Sequence, residues 1–115
     1  MKRKIFVSHG DAKDVRIDEF MTVFDYFTKK ESRLVSLVTA KLDGPHTLRI
    51  NRASEKLFFL IDGEADMVVD EQQYHLIRGD AVLVPINVWH SIIGRKAHLI
   101  IVVAPPYDPT NEEMK

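Results

Sequence analysis

The sequence contains no cysteine, so disulfides, thiolate nucleophiles and cysteine-based zinc sites are excluded. It has one tryptophan, five glycines and five prolines, too few glycines and prolines for a fibrous or low-complexity chain. No apolar run is long enough to span a membrane. The basic start, Met1-Lys2-Arg3-Lys4, leads into only Ile5-Phe6-Val7, which is too short for a signal-peptide core. Formal net charge is −1, with no basic stripe for nucleic acid and no acidic tract. These exclusions leave a cytoplasmic globular protein that binds neither membrane nor nucleic acid. A length of 115 residues suits one domain and one core.

What the chain does contain divides into a prelude, a long run of strands and a tail. In "RIDEFMTVFDYF", Ile17, Phe20, Met21, Phe24 and Phe27 follow helical spacing, which predicts a short N-terminal helix within about residues 14–28. Asp14 or Asp18 would cap its start. From residue 33 to 104 the pattern is β. Apolar or alternating runs occupy Leu34–Leu42, Thr47–Asn51, Lys56–Ile61, Ala65–Val69, Tyr74–Ile77, Ala81–Val84, Ser91–Ile93 and Ala97–Ala104. Turn chemistry separates them, as at Asp43-Gly44-Pro45, Asp62-Gly63 and Gly94-Arg95-Lys96. Short strands without intervening helices predict an all-β, antiparallel sandwich or barrel. The tail, residues 105–115, carries three prolines and reads as a surface segment or arm in which Tyr107 would pin the chain to the barrel.

One stretch carries more. In "RGDAVLVPINVWHSI", Gly79 is followed after five residues by Pro85, then by Asn87 and His90. This resembles the second conserved motif of the cupins. Asn87 stands where that motif usually has glycine, and asparagine also tolerates left-handed backbone. Upstream, "KLFFLIDGEADMVVD" is similar to the end of the first cupin motif, with Gly63 closing the strand. The resemblance implies a cupin double-stranded β-helix, an RmlC-like jelly-roll barrel, and the family's habit of forming homodimers.

It also implies where a metal site would lie. Counting back from Gly63, Lys56 takes the place of the family's glutamate ligand, and Arg49 and Asn51 take the places of two histidines. Only His90 keeps its ligand identity. Arginine offers no lone pair, and lysine is normally a cation. Each unit of like charge within about 4 Å costs roughly 4 kcal/mol at an effective dielectric of 20. The expectation is therefore a degenerate site with no metal and no other cofactor. An irregular site of His90, Glu55 and His46 is the alternative, reached if a one-residue slip turns Glu55 inward.

In the family's register Arg49, Asn51, Lys56 and His90 ring one cavity, with Phe58 in its wall. Such a pocket is polar and cationic, suited to a carboxylate, a phosphate or a sugar derivative. The leading expectation is a small-molecule binding protein with an anionic ligand. The alternatives are a metal-independent isomerase or epimerase with His90 as catalytic base, and a metal-dependent oxygenase or isomerase with the irregular site. The plainer reading competes: Arg49 and Lys56 snorkel to the mouth, and His90 is a satisfied core histidine. Simple alternation in "HTLRINR" also conflicts with the family register, because it turns Leu48 and Ile50 inward and leaves Arg49 and Asn51 in water. A homodimer covering Leu48, Ile50 and the outward residues of Leu57–Ile61 reconciles the two. His9, His75 and His98 read as structural, with His75 on an outer face, and Trp89 as a mouth or interface residue.

Overall fold

The computed structural model describes residues 4–115, so Met1-Lys2-Arg3 lie outside the described residues. Among the described residues, eight strands form one antiparallel sheet that rolls over the core. They are β1 (Lys13–Arg16), β2 (Met21–Phe27), β3 (Ser36–Asn51), β4 (Glu55–Val69), β5 (Gln72–Leu76), β6 (Ala81–Val84), β7 (His90–Ala104) and β8 (Glu112–Met114). Their order is β1-β2-β3-β7-β4-β5, with β6 paired to β4 and β8 to β3. The path is open, since its ends, β1 and β5, are not neighbours. The architecture is a jelly roll.

Three of its strands are longer than the sequence pattern suggests. The runs predicted on either side of Asp43-Gly44-Pro45, Asp62-Gly63 and Gly94-Arg95-Lys96 fuse into β3, β4 and β7. The turn-like residues there mark shifts of register: between Leu42 and Gly44 where β3 meets β7, and around Asp62 where β4 meets β7. Gly63 shows why such residues are needed. Its φ is +79°, and a Cβ at that position would lie 2.1 Å from the carbonyl oxygen of Lys96. A bulge lets one strand bend across both layers of the roll while its ladder continues.

The N-terminal helix does not form. Among the described residues, the only helical turn near the N-terminus is a 3₁₀ turn at His9–Asp11, and residues 13–27 make the β1–β2 hairpin. The helical spacing of Phe20, Phe24 and Phe27 coincides with an alternation, Met21, Val23, Asp25 and Phe27, that a polar residue at 25 disguises. Thr22 and Val23 together with the aromatics favour extended backbone. Asp18 was expected to cap a helix; its Oδ1 instead accepts the N–H groups of Phe20 (2.8 Å) and Met21 (2.9 Å), closing the hairpin turn.

The apolar core runs through alternate residues of the long strands. Leu60, Ala65 and Met67 of β4 and Leu99 of β7 are fully buried, with Ala40 and Leu42 of β3 against them. Part of the opposite face of the same strands is apolar. Leu57 pairs with both Val102 and Leu83, and Val102 pairs with Leu37, which makes an apolar row across β3, β7, β4 and β6. Leu57, Phe59 and Leu83 are 47%, 42% and 50% exposed on it.

Candidate functional site

Alternation in β4 sends Lys56 and Phe58 inward and leaves Glu55, Leu57 and Phe59 outside. β3 contributes His46 and Arg49, and the start of β7 contributes His90. These five side chains meet in a cavity of about 310 Å³. Its remaining wall is largely apolar, drawn from Met21, Val23, Ile101 and Val103, with Asp25 and Tyr107 among the polar exceptions. The β1–β2 hairpin, where the spacing predicts a helix, thus supplies one side of the cavity.

The polar end is a linked set of charges. Glu112, on β8, places Oε1 3.0 Å from Arg49 Nη1 and Oε2 2.6 Å from Lys56 Nζ. All three side chains are nearly buried, at 12%, 7% and 6% exposed for Arg49, Lys56 and Glu112. Lys56 Nζ also stands 3.4 Å from His90 Nε2. On the other side of the ring, His90 Nδ1 lies 3.1 Å from the carbonyl oxygen of Val88, which can only accept. Nδ1 therefore carries the proton, and Nε2 turns a lone pair toward the Lys56 ammonium.

The environment keeps both imidazoles neutral. Burial first, then the positive charge of Lys56, pushes His90 down to about 4. Burial, then Arg49 and Lys56, pushes His46 down to about 4 as well. Burial also lowers Lys56, with Glu112 working against it. Burial disfavours ionisation of Glu112, but Lys56 and Arg49 outweigh it and hold the carboxyl below its ordinary value. His46 Nδ1 is buried without a hydrogen-bond partner among the described residues.

Of the residues singled out in the sequence, His46, Arg49, Lys56, Phe58 and His90 converge on this cavity. Asn51 does not line it. Its Oδ1 accepts the N–H groups of Ala53 (3.0 Å) and Ser54 (2.8 Å), shaping the turn into β4. Ile50 is buried within the chain itself, so it cannot face a second subunit. Nothing in the sequence points to Glu112. It sits in a tail read as a surface arm, and nothing local distinguishes it from Glu113, which is exposed. Only the pairing of β8 with Arg49, Ile50 and Asn51 brings it in. With Glu112 present, the pocket is less cationic than the sequence implied. The remaining histidines lie apart from this polar end: His9 meets Tyr26 at 3.0 Å, and His75 sits outside between Glu64 and Asp66. Trp89 lies under the C-terminal Lys115, 5.5 Å from its ammonium.

The residues present do not fit a resident metal ion. An ion near His90 Nε2 would displace, or lie against, the Lys56 ammonium, with the Arg49 guanidinium close by. Glu55 is exposed on the opposite face of β4 and does not join His46 and His90. No group of three or more His, Asp or Glu side chains among the described residues is placed to hold a metal.

Comparison with known proteins settles the family. The sequence profile of the cupin domain matches residues 42–103, more than half of the chain. The chain belongs to the cupin family. Among solved structures, it is similar to a single-substitution variant of Streptomyces PAC13 with uridine, at 15% identity and a TM-score of 0.88 over 99% of this chain and 92% of that one. That protein is described as a nucleoside dehydratase. KdgF from Halomonas sp. superposes with a TM-score of 0.82 at 15% identity, over 95% and 99% of the two chains. An RmlC-like cupin from Shewanella frigidimarina gives 0.82 at 18% identity, over 93% and 96%. No curated protein matches the sequence. At these identities the likeness is one of fold.

Proposed function

We propose that this cupin is a single-domain, cytoplasmic small-molecule binding protein that works without a resident metal. The ligand's polar head meets Lys56, His90 and His46, and its less polar body lies along Met21, Val23, Phe58 and Ile101. The observation that carries this reading is the cavity itself: about 310 Å³, largely apolar, with several polar groups converging at one end. Binding sites for small organic molecules have that composition. His46 Nδ1, buried and unpaired, adds a polar atom whose burial stays costly until something bonds to it. Thermal-shift screening against carboxylic acids, sugar derivatives and nucleosides tests the proposal. At least one class is expected to raise Tm by several degrees and to lose that effect in Phe58→Ala. A flat panel would contradict it.

A second reading is an enzyme that moves protons without a metal, as an isomerase, epimerase or lyase does. What favours it is the pair of neutral imidazoles on one cavity wall. His90 would serve as the base only when Lys56 turns away from Nε2. His46 is the freer of the two. Incubation in deuterium oxide with keto-sugars and nucleosides separates the readings: isotope uptake into a carbon position marks the enzyme, and unlabelled substrate returns the reading to binding alone.

We also propose a homodimer closed by the outer row of Leu57, Phe59 and Leu83 together with Val102. An apolar row across four strands, exposed at Leu57, Phe59 and Leu83, is uncommon on a monomer. Sedimentation at tens of micromolar is expected to give about twice the 13.2 kDa chain mass, and Phe59→Glu to give a monomer. A wild-type monomer, or an unchanged dimer in that variant, would refute the assignment.

A further inference from the structure

Glu112 sits between two nearly buried cations. Its two oxygens bridge Arg49 and Lys56, which approach from two different strands. The strand that carries it is three residues long, and the neighbouring Glu113 and Met114 are exposed. Glu112 is thus the buried side chain of a short strap. Its other fastenings include the pairing with Arg49, Ile50 and Asn51, a bond from Arg52 N–H to the Asn111 carbonyl (2.8 Å), one from Lys115 N–H to the Leu48 carbonyl (3.1 Å), a contact of Arg49 Nη2 with Met114 Sδ (3.7 Å), the Lys115 ammonium over Trp89, and the Arg52–Glu113 ion pair. An exposed pair of that kind holds weakly.

We propose that Glu112 is an internal occupant of a carboxylate-binding seat. A ligand acid enters by exchange with the Glu112 side chain, releasing β8 from the edge of β3. This rests on the reading of the cavity as a small-molecule site and names its ligand class: a monocarboxylic acid with an apolar body. Exchange, not addition, follows from charge. A second carboxylate at Arg49 and Lys56 would lie within a few ångströms of the first in a place with little water to screen them. With Glu112 withdrawn, the same two cations are left buried without an anion, and a carboxylate from solution restores the arrangement. The cavity continues from this seat along Met21, Val23, Phe58 and Ile101, which gives the acid's apolar body a place to lie.

Chemical rescue tests this on the full-length chain. Acetate, propionate and benzoate are titrated into wild type, Glu112→Ala and Glu112→Gln, with acetamide, propionamide and benzamide as uncharged counterparts. The acids are expected to raise the Tm of Glu112→Ala progressively, with affinity at least tenfold tighter than for wild type. The amides are expected to do nothing. Glu112→Gln keeps the side chain's size and carries the same tenfold comparison where Glu112→Ala folds poorly. Adding Lys56→Met to either variant is expected to abolish the gain. Saturating acid on wild type is expected to speed amide exchange at Lys115 at least tenfold, since its N–H bond to Leu48 belongs to the strap. Acids that act alike on wild type and both variants, or on none, would overturn the exchange. A neutral compound that binds wild type in the thermal-shift panel while every acid fails in the rescue would keep the cavity as a ligand site and remove only the acid seat.

Discussion

Lowering the pH from 6.5 to 4 is expected to remove stability on the order of 3 kcal/mol for each of His46 and His90. Burial and the neighbouring cations hold both imidazoles at about 4 in the folded chain, against 6.5 for a free histidine. Each pKa unit is worth about 1.4 kcal/mol between the two protonation states. The sign follows from proton uptake. Between pH 6.5 and 4 the unfolded chain protonates these residues and the folded chain resists, so unfolding is favoured as protons become available. The contribution is fully present above pH 6.5, falls through that window and levels off below pH 4. Two such groups together approach the whole stability of an ordinary domain. Urea midpoints measured at half-unit intervals would show it. The decisive comparison is with His46→Gln, which is expected to lose less stability than wild type between pH 7 and pH 4. Parallel curves would mean that His46 is not held neutral by its surroundings.

Glu112→Ala is expected to cost about 3–5 kcal/mol at pH 7, the range for removing one partner from a buried ion pair. The cost arises from what stays behind: Arg49 and Lys56, nearly buried and next to each other without their anion. Replacing the lysine as well should recover part of it, because Lys56→Met puts an apolar chain of similar length into a wall that already holds Phe58 and Val103. A double-mutant cycle over Glu112→Ala and Lys56→Met should therefore show coupling well above the few tenths of a kcal/mol seen for independent sites. Additive effects would contradict the linked cluster.

How far the sequence revealed this depends on the range of the interaction. His90 was legible because Gly79, Pro85 and Asn87 fix its place after a turn. Asn87 indeed has φ +63°, and its N–H bonds to the Asn51 carbonyl at 2.9 Å. Lys56 and Phe58 were legible because a two-residue period in β4 carries through the run Leu57–Ile61 once Gly63 fixes the count. Arg49 followed from the same count, while Asn51 shares its inward register without reaching the cavity. Ile50 and Asn51 are both buried, so the choice between alternation and the family register was not strict at the end of β3, where β8 joins.

What could not be read is carried by long-range pairing. Residues 13–27 satisfy a helical and a strand period at once, and the neighbouring edge of β3 decides in favour of a strand. Glu112 and Arg49 are far apart in sequence, and nothing in "PTNEEMK" marks which glutamate turns inward. The long strands were divided at glycines because a bulge and a turn use the same residues; only the continuing ladder of β7 distinguishes them.

The central claim is that a small molecule binds in the cavity between His46, Lys56, Phe58 and His90. Two-dimensional NMR of imidazole and methyl signals, recorded while a compound from the thermal-shift panel is titrated in, tests it most directly. The account predicts that the rings of His46 and His90 and the methyl of Met21 shift together and saturate at one concentration, with His75 unmoved. Saturable shifts confined to His75 and the outer face of β4 and β5, with the cavity signals unchanged, would contradict it.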